Sequence, residues 1–151
     1  MGVRGLGHDV VDVASFAAQL TEPGTRMRSL FSVREVRQAS ERARSKGDGE
    51  AVHLAAKWAG KEAFLKAWCE SLGSVDYPFT LDDFPWREVE VLDDSRGVPH
   101  VTLSGEVALA FRDGVVACRG ANAGVAAIPS VHISLSHDGP VASAVVIIAV
   151  G

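Results

Sequence analysis

Cysteine is nearly absent from this chain: its 151 residues hold two, Cys69 and Cys118. They lie far apart without C-x-x-C spacing, which excludes a disulfide framework and a cysteine-built zinc site. Both are expected to be reduced, buried, small hydrophobes. Long apolar runs are missing too. The longest, Val141 to Val150, is about half of the ~20 residues that a membrane-spanning helix needs. Asp9 and Asp12 interrupt the segment from Met1 to Val13, so it does not read as a signal peptide. Cations are in deficit, with 15 Lys and Arg against 19 Asp and Glu and a formal charge of −4. That balance opposes sequence-independent nucleic-acid binding by the chain as a whole. G-x-S-x-G and H-E-x-x-H are absent, and Gly5-Leu6-Gly7 lacks the third glycine and the strand-to-helix placement of a dinucleotide fingerprint. A cytoplasmic protein is expected, with neither a nucleic acid nor a membrane as partner.

What is present is an ordinary globular composition, 47% apolar and 23% charged. A chain of this length can bury roughly 68–70% of its unfolded surface, so one domain over residues 1–151 is expected, without disulfide or metal staples. Residues 3–13, rich in Val, read as a strand. Asp12 is placed to cap a short helix, VASFAAQL, which Glu22-Pro23-Gly24 ends. Ser32 and Glu35 form a capping box for a charged helix over about 33–45. Residues 50–69 form the clearest helix, roughly 30 Å long, and tolerate Gly60 at about 1 kcal/mol. An irregular connection follows over 72–85, then strands over 88–92 and 100–103 around a turn at 94–97. Residues 107–111 suit a short helix, and the Ala/Gly-rich stretch 113–129 an inserted or mobile loop. VHISLSH and VASAVVIIAV, joined at Asp138-Gly139-Pro140, read as a β-hairpin. Strands at both ends with helices between predict an α+β fold rather than alternating βαβ units.

Three residues stand out chemically. At 100° per residue, Glu62 lies within about 60° of Ala51, Ala55, Trp58, Ala59, Leu65, Lys66 and Cys69. A carboxylate amid so many small and apolar side chains needs a partner or a metal. An i,i+4 ion pair with Lys66 is the plainer alternative. Asp9 sits in a strand of Val, Leu and Gly, where acids are disfavoured; it either caps the strand end or serves a ligand that the glycines let approach. His137 ends an alternating strand just before a turn, as a solvated residue or a site residue. His53 and Lys57 face away from Glu62 and read as solvated, while Lys61 lies on the flank with Leu54 and Trp68.

GLGHDVVDV, WAGKEAFLKAW and VHISLSH occur here in that order. With them the chain resembles the holo-acyl-carrier-protein synthase family, the small phosphopantetheinyl transferases of bacteria, over nearly its whole length. The resemblance implies an α+β fold with a small antiparallel sheet packed against a long helix. It implies transfer of 4′-phosphopantetheine from coenzyme A to a serine of an acyl carrier protein or carrier domain, with Mg²⁺ as cofactor and 3′,5′-ADP released. Asp9 and Glu62 match the metal ligands. Glu62 and Lys66 match the catalytic positions, with Lys66 a phosphate contact and proton acceptor, and His137 lies near the coenzyme A phosphates. Family members of this size are homotrimers with each site at a subunit boundary. The chain departs from the pattern at Gly60, where alanine is usual, and at His8, where an apolar residue is usual and which should point to the opposite strand face from Asp9. It departs also in the 70–74 turn and the longer 113–129 insert. The basic residues that grip the carrier from the first helix are unmatched, and Arg26, Arg28, Arg34 and Arg37 are the nearest substitutes. The rival reading is a non-catalytic α+β module that docks an acidic protein or RNA through its basic helix.

Overall fold

Hydrogen bonds at the helix ends explain where each element starts and stops in the computed structural model, which describes residues 2–117 and 128–151. Strand β1 (Gly2–Asp12) leads into helix α1 (Val13–Thr21), where Asp12 Oδ1 accepts from Ser15 N at 2.7 Å. Helix α2 (Val33–Lys46) opens with both bonds of the Ser32/Glu35 capping box and closes on Gly47, at φ 69°. Helix α3 (Glu50–Leu72) has 23 residues, about 35 Å. Then come β2 (Val89–Asp93), β3 (Pro99–Leu103), α4 (Gly105–Ala117), β4 (Ser130–Asp138) and β5 (Val141–Val150). The fold is α+β, as expected.

The terminal strands form an antiparallel sheet in the order β1-β5-β4, and β2 pairs with β3 as a separate hairpin. Along β1 the buried positions are Gly5, Gly7 and Asp9, which face α3, while Leu6, His8 and Val10 face outward. His8 thus points away from Asp9, and its Nε2 lies 3.2 Å from Ser143 Oγ. The two glycines decide how closely helix and strand approach. A Cβ on Gly5 would stand 2.0 Å from Ala67 O, and one on Gly7 would stand 1.8 Å from Ala63 O. These are backbone atoms, so α3 lies on bare β1 backbone and no larger residue fits there. Gly60, the departure from the usual alanine, has a similar cause: a Cβ there would meet Val91 and Ile133 side chains at 3.0 Å.

Helix α3 is surrounded on most sides. Phe64, Trp68, Phe84 and Phe111 build one core around its C-terminal half; Phe16, Phe31 and Leu54 build a second around its N-terminal half. The irregular connection contributes Tyr77, Phe79 and Phe84, all packed on Trp68. Between α2 and α3 lies an ion pair removed from water. Lys61 Nζ is 2.8 Å from Glu35 Oε1, with both side chains 0% exposed. Lys61 also donates to Trp86 O (2.7 Å) and Val89 O (2.6 Å), and Glu35 accepts from Ser32 N and Val91 N. Burial pulls the Lys61 pKa down, opposed by the Glu35 charge.

Four expectations are corrected. Residues 105–117 are one helix, longer than the 107–111 turn, so the first part of the supposed 113–129 loop is helical. Residues 118–127 of that stretch, with Cys118, lie outside the described residues. Cys69 is exposed, because the α3 face that it shares with Lys66 runs past the edge of the sheet. His53 and Lys57 are buried rather than solvated, at 7% and 4% exposure, because α2, β2 and β4 cover the face opposite β1. Lys57 Nζ donates to Val91 O at 2.7 Å and to Gln38 Oε1 at 3.1 Å.

Removing one member of the Lys61–Glu35 pair leaves a buried, unpaired charge. Lys61→Met is expected to lose about 3–5 kcal/mol in denaturant unfolding, and adding Glu35→Leu to recover part of that loss. A single variant as stable as the parent would contradict the arrangement.

Candidate active site

Because Gly5 and Gly7 admit the α3 backbone, the side chains of α3 just beyond the contact line reach the free edge of β1. Lys66 Nζ lies 2.9 Å from Asp9 Oδ1 and donates to His8 O at 3.0 Å. One turn on, Glu70 accepts from Leu6 N. Lys66 therefore pairs with Asp9 across the helix–strand junction, in place of the i,i+4 ion pair with Glu62. Asp9 is 7% exposed and Glu62 half-buried beside it. Burial pushes the Glu62 pKa up to about 7, helped by contact with the Asp9 carboxyl; Lys66 and Trp58 oppose the shift. With both acids ionised no proton joins them, and Asp9 Oδ2 is buried without a hydrogen-bond partner.

An orphaned carboxylate oxygen beside a second carboxylate is the donor set that a hard divalent cation takes. Mg²⁺ requires few protein ligands because it keeps waters and binds substrate phosphates. No group of three or more His, Cys, Asp or Glu side chains suited to a metal occurs among the described residues. Two adjacent carboxylates, Asp9 buried and Glu62 half-buried, fit Mg²⁺ better than an ion wanting an all-protein cage.

His137 does not join this cluster. It lies on β4 opposite Ala142 of β5, which pairs with Val11, whereas Asp9 pairs with Ala144. Its ring instead meets His53, nine residues before Glu62 and so about 13 Å back along α3. There His137 lines a cleft of about 360 Å³ with Arg42, Lys46, His53, Lys57 and Ser136. Sequence reading found His137 but missed His53 and Lys57, which a helical wheel centred on Glu62 places on the right side, away from Glu62, but reads as solvated. Of the candidate docking arginines, Arg34 is bound to the Glu90 carboxylate and Arg28 lies 2.7 Å from Glu50. Arg26 and Arg37 remain exposed. With Arg87, which sequence reading overlooked, they rim an open cleft of about 660 Å³ floored by Phe31, Val33 and Val36.

A small antiparallel sheet laid against one long helix, with an acid pair and a lysine at their junction, defines a class. A model of the 4′-phosphopantetheinyl transferase superfamily matches residues 5–126, and the chain belongs to that family of enzymes. The holo-[acyl-carrier-protein] synthase of Bifidobacterium adolescentis is 54% identical over 156 residues, covering 95% of this chain and 97% of the relative. That of Bifidobacterium animalis subsp. lactis is also 54% identical, over 147 residues, covering 95% and 96%. Among solved structures, a Chronobacterium ammoniagenes ACPS–coenzyme A complex superposes with a TM-score of 0.83 at 30% identity, covering 100% of this chain and 99% of the other. Acyl carrier protein synthase of Mycobacterium tuberculosis gives 0.69 at 32% identity, covering 99% and 100%. The rival reading, a non-catalytic binding module, has no support in these likenesses. No described helix is long and apolar enough to cross a membrane.

The raised Glu62 pKa sets a pH dependence in metal-free protein. The folded chain holds the Glu62 proton more tightly than the unfolded chain, whose value is near 4.5. Stability from this group is therefore complete below pH 4.5 and declines as pH rises towards 7. Thermal unfolding is expected to show that decline, and Glu62→Gln to flatten it. An unchanged slope in the variant would refute the assignment.

Proposed function

We propose that the chain transfers the 4′-phosphopantetheine group of coenzyme A to a serine hydroxyl of an acyl carrier protein or carrier domain, with Mg²⁺ and with release of 3′,5′-ADP. The whole chain acts as one phosphopantetheinyl transferase domain in the cytoplasm. One observation carries the reading: Asp9 and Glu62 present two inward carboxylates, one oxygen orphaned, with the Lys66 ammonium at the same edge. The names of the Bifidobacterium relatives and the coenzyme A complex of the Chronobacterium structure support it.

The nucleophile belongs to the carrier, in keeping with the absence of any nucleophile–base motif here. The serine oxygen forms a bond to phosphorus, and the bond from that phosphorus to the bridging oxygen of coenzyme A breaks. The bonding electrons leave on 3′,5′-ADP. Such transfer depends mostly on positioning and charge neutralisation. Asp9 and Glu62 would hold Mg²⁺, which when bound neutralises charge on the phosphoryl oxygens. Lys66, more than half exposed, is free to swing from Asp9 to a phosphate oxygen. The serine proton would pass to water at the open edge of the site; the value of about 7 at Glu62 belongs to the metal-free protein, where no cation favours its charged form.

The cationic cleft at His137 is the candidate site for the remaining phosphates of coenzyme A. It and the acid pair lie well apart on one copy, in keeping with sites completed at a subunit boundary in a homotrimer. The outward sheet face, where Leu6 and Val10 are 55% exposed and Val145 36%, offers an apolar surface for another copy.

Incubation with coenzyme A, Mg²⁺ and a candidate carrier should add phosphopantetheine to the carrier, read by mass spectrometry. Asp9→Ala and Glu62→Ala should each abolish the addition while circular dichroism stays native, and light scattering of the parent should give a trimer. Full transfer by Glu62→Ala would sink the mechanism.

The arginine-rimmed cleft is the candidate dock for an acidic carrier, since exposed charges act chiefly on encounter and are screened within about 8 Å at physiological salt. Reversing Arg26 and Arg37 to Glu is expected to raise the carrier KM and leave that of coenzyme A nearly unchanged. The parent should lose more carrier affinity than the variant as salt rises. Equal carrier kinetics across a salt series would move the dock elsewhere.

A further inference from the structure

His53 stands in the first turns of α3, buried against β4, where an imidazole without a partner would be unfavourable. Its partner comes from the loop between α2 and α3: Asp48 Oδ1 accepts from His53 Nε2 at 2.6 Å. The opposite contact is with His137. The two rings lie 5.8 Å apart between centroids at 87°, edge against face. His137 itself is exposed at the end of β4, and no hydrogen bond from another described residue fixes its ring. Its contact with His53 is therefore what orients it towards the cleft.

The other charges facing the cleft are already committed or remote from the ring. Arg42 on α2 lies 3.9 Å from Asp93 of β2, and Lys57 on α3 is bonded to Gln38 and Val91. Lys46, at the end of α2, is exposed. Asp48 is thus the carboxylate paired to His53, which in turn meets His137. Its own pKa is held low, first by the His53 hydrogen bond and further by the charges of His53, Lys46 and His137.

On the reading that this cleft takes phosphates of coenzyme A, we infer that His53, anchored by Asp48, is a positioning residue. It holds the His137 ring in its phosphate-facing orientation through their edge-to-face contact, and the Asp48 hydrogen bond fixes the His53 ring that makes it. A pre-oriented side chain loses less freedom when the ligand arrives, so the effect falls on coenzyme A affinity and not on the chemical step.

The test compares the parent with His53→Gln, Asp48→Asn and His137→Ala, using coenzyme A, Mg²⁺ and a carrier. NMR chemical shifts of the histidine ring protons are read in parallel. His53→Gln keeps a side-chain bond to Asp48 but lacks the ring; it is expected to raise the coenzyme A KM roughly two- to tenfold with kcat within twofold. Asp48→Asn, which gives His53 a weaker acceptor, is expected to raise the coenzyme A KM by a smaller factor, with kcat within twofold and the His137 ring-proton shifts moved from the parent's. Should His53→Gln fail to fold, the more exposed Asp48→Asn carries the test alone. If His137→Ala raises KM while the other two variants keep the parent's KM and His137 ring-proton shifts, the role of His53 is overturned and the cleft assignment stands. If His137→Ala leaves KM unchanged, the cleft assignment falls and this role with it.

Discussion

The contact of α3 backbone with β1 backbone is the constraint from which the rest of the molecule is laid out. Gly5 and Gly7 have no side chain to hold the helix off, and Ala63 and Ala67 meet them with their carbonyl and amide groups. Two consequences follow from that closeness. Lys66 and Glu70 reach main-chain groups on the free edge of β1, so the edge strand is tied to the helix by side chains where no further strand pairs with it. And Asp9, two residues beyond Gly7 on the same strand face, meets Glu62 and Lys66. A strand lined with ordinary side chains would sit further from the helix, and the acids would not touch.

The chain contains two kinds of inward charge, and hydrogen bonding separates them. Lys61 and Glu35 are fully buried, but the lysine has three acceptors and each glutamate oxygen has a donor. Such a pair fixes how α2, α3 and β2 meet and offers nothing to a ligand. Asp9 and Glu62 are the reverse: less deeply placed, mutually repelling when ionised, and short of a donor at Asp9 Oδ2. The deficit is what a cation bound there would relieve. Position in the sequence does not distinguish these two cases, since Lys61 and Glu62 are neighbours on one helix.

The same helix serves a second place through its other face. His53 and Lys57 point into the cleft shared with α2 and β4, while Glu62 and Lys66 point to the β1 edge. A rigid element of about 35 Å thereby holds two polar sites in fixed relation.

Local chemistry carried much of this into the sequence. The Ser32/Glu35 box, the Asp12 cap, the closing hairpin and the long helix follow from short-range hydrogen bonding and periodicity, and the structure has all four. Asp9 and Glu62 were legible because a carboxylate in an apolar element is costly wherever it ends up. Burial of His53 and Lys57, exposure of Cys69, the Glu35 partner of Lys61 and the separation of His137 from the acid pair were not legible. A helical wheel states which residues share a face, but α3 is covered on several faces by elements from distant parts of the chain. Which face meets glycine backbone, which meets another helix and which runs out into solvent depends on packing between segments tens of residues apart, and that only the tertiary structure decided.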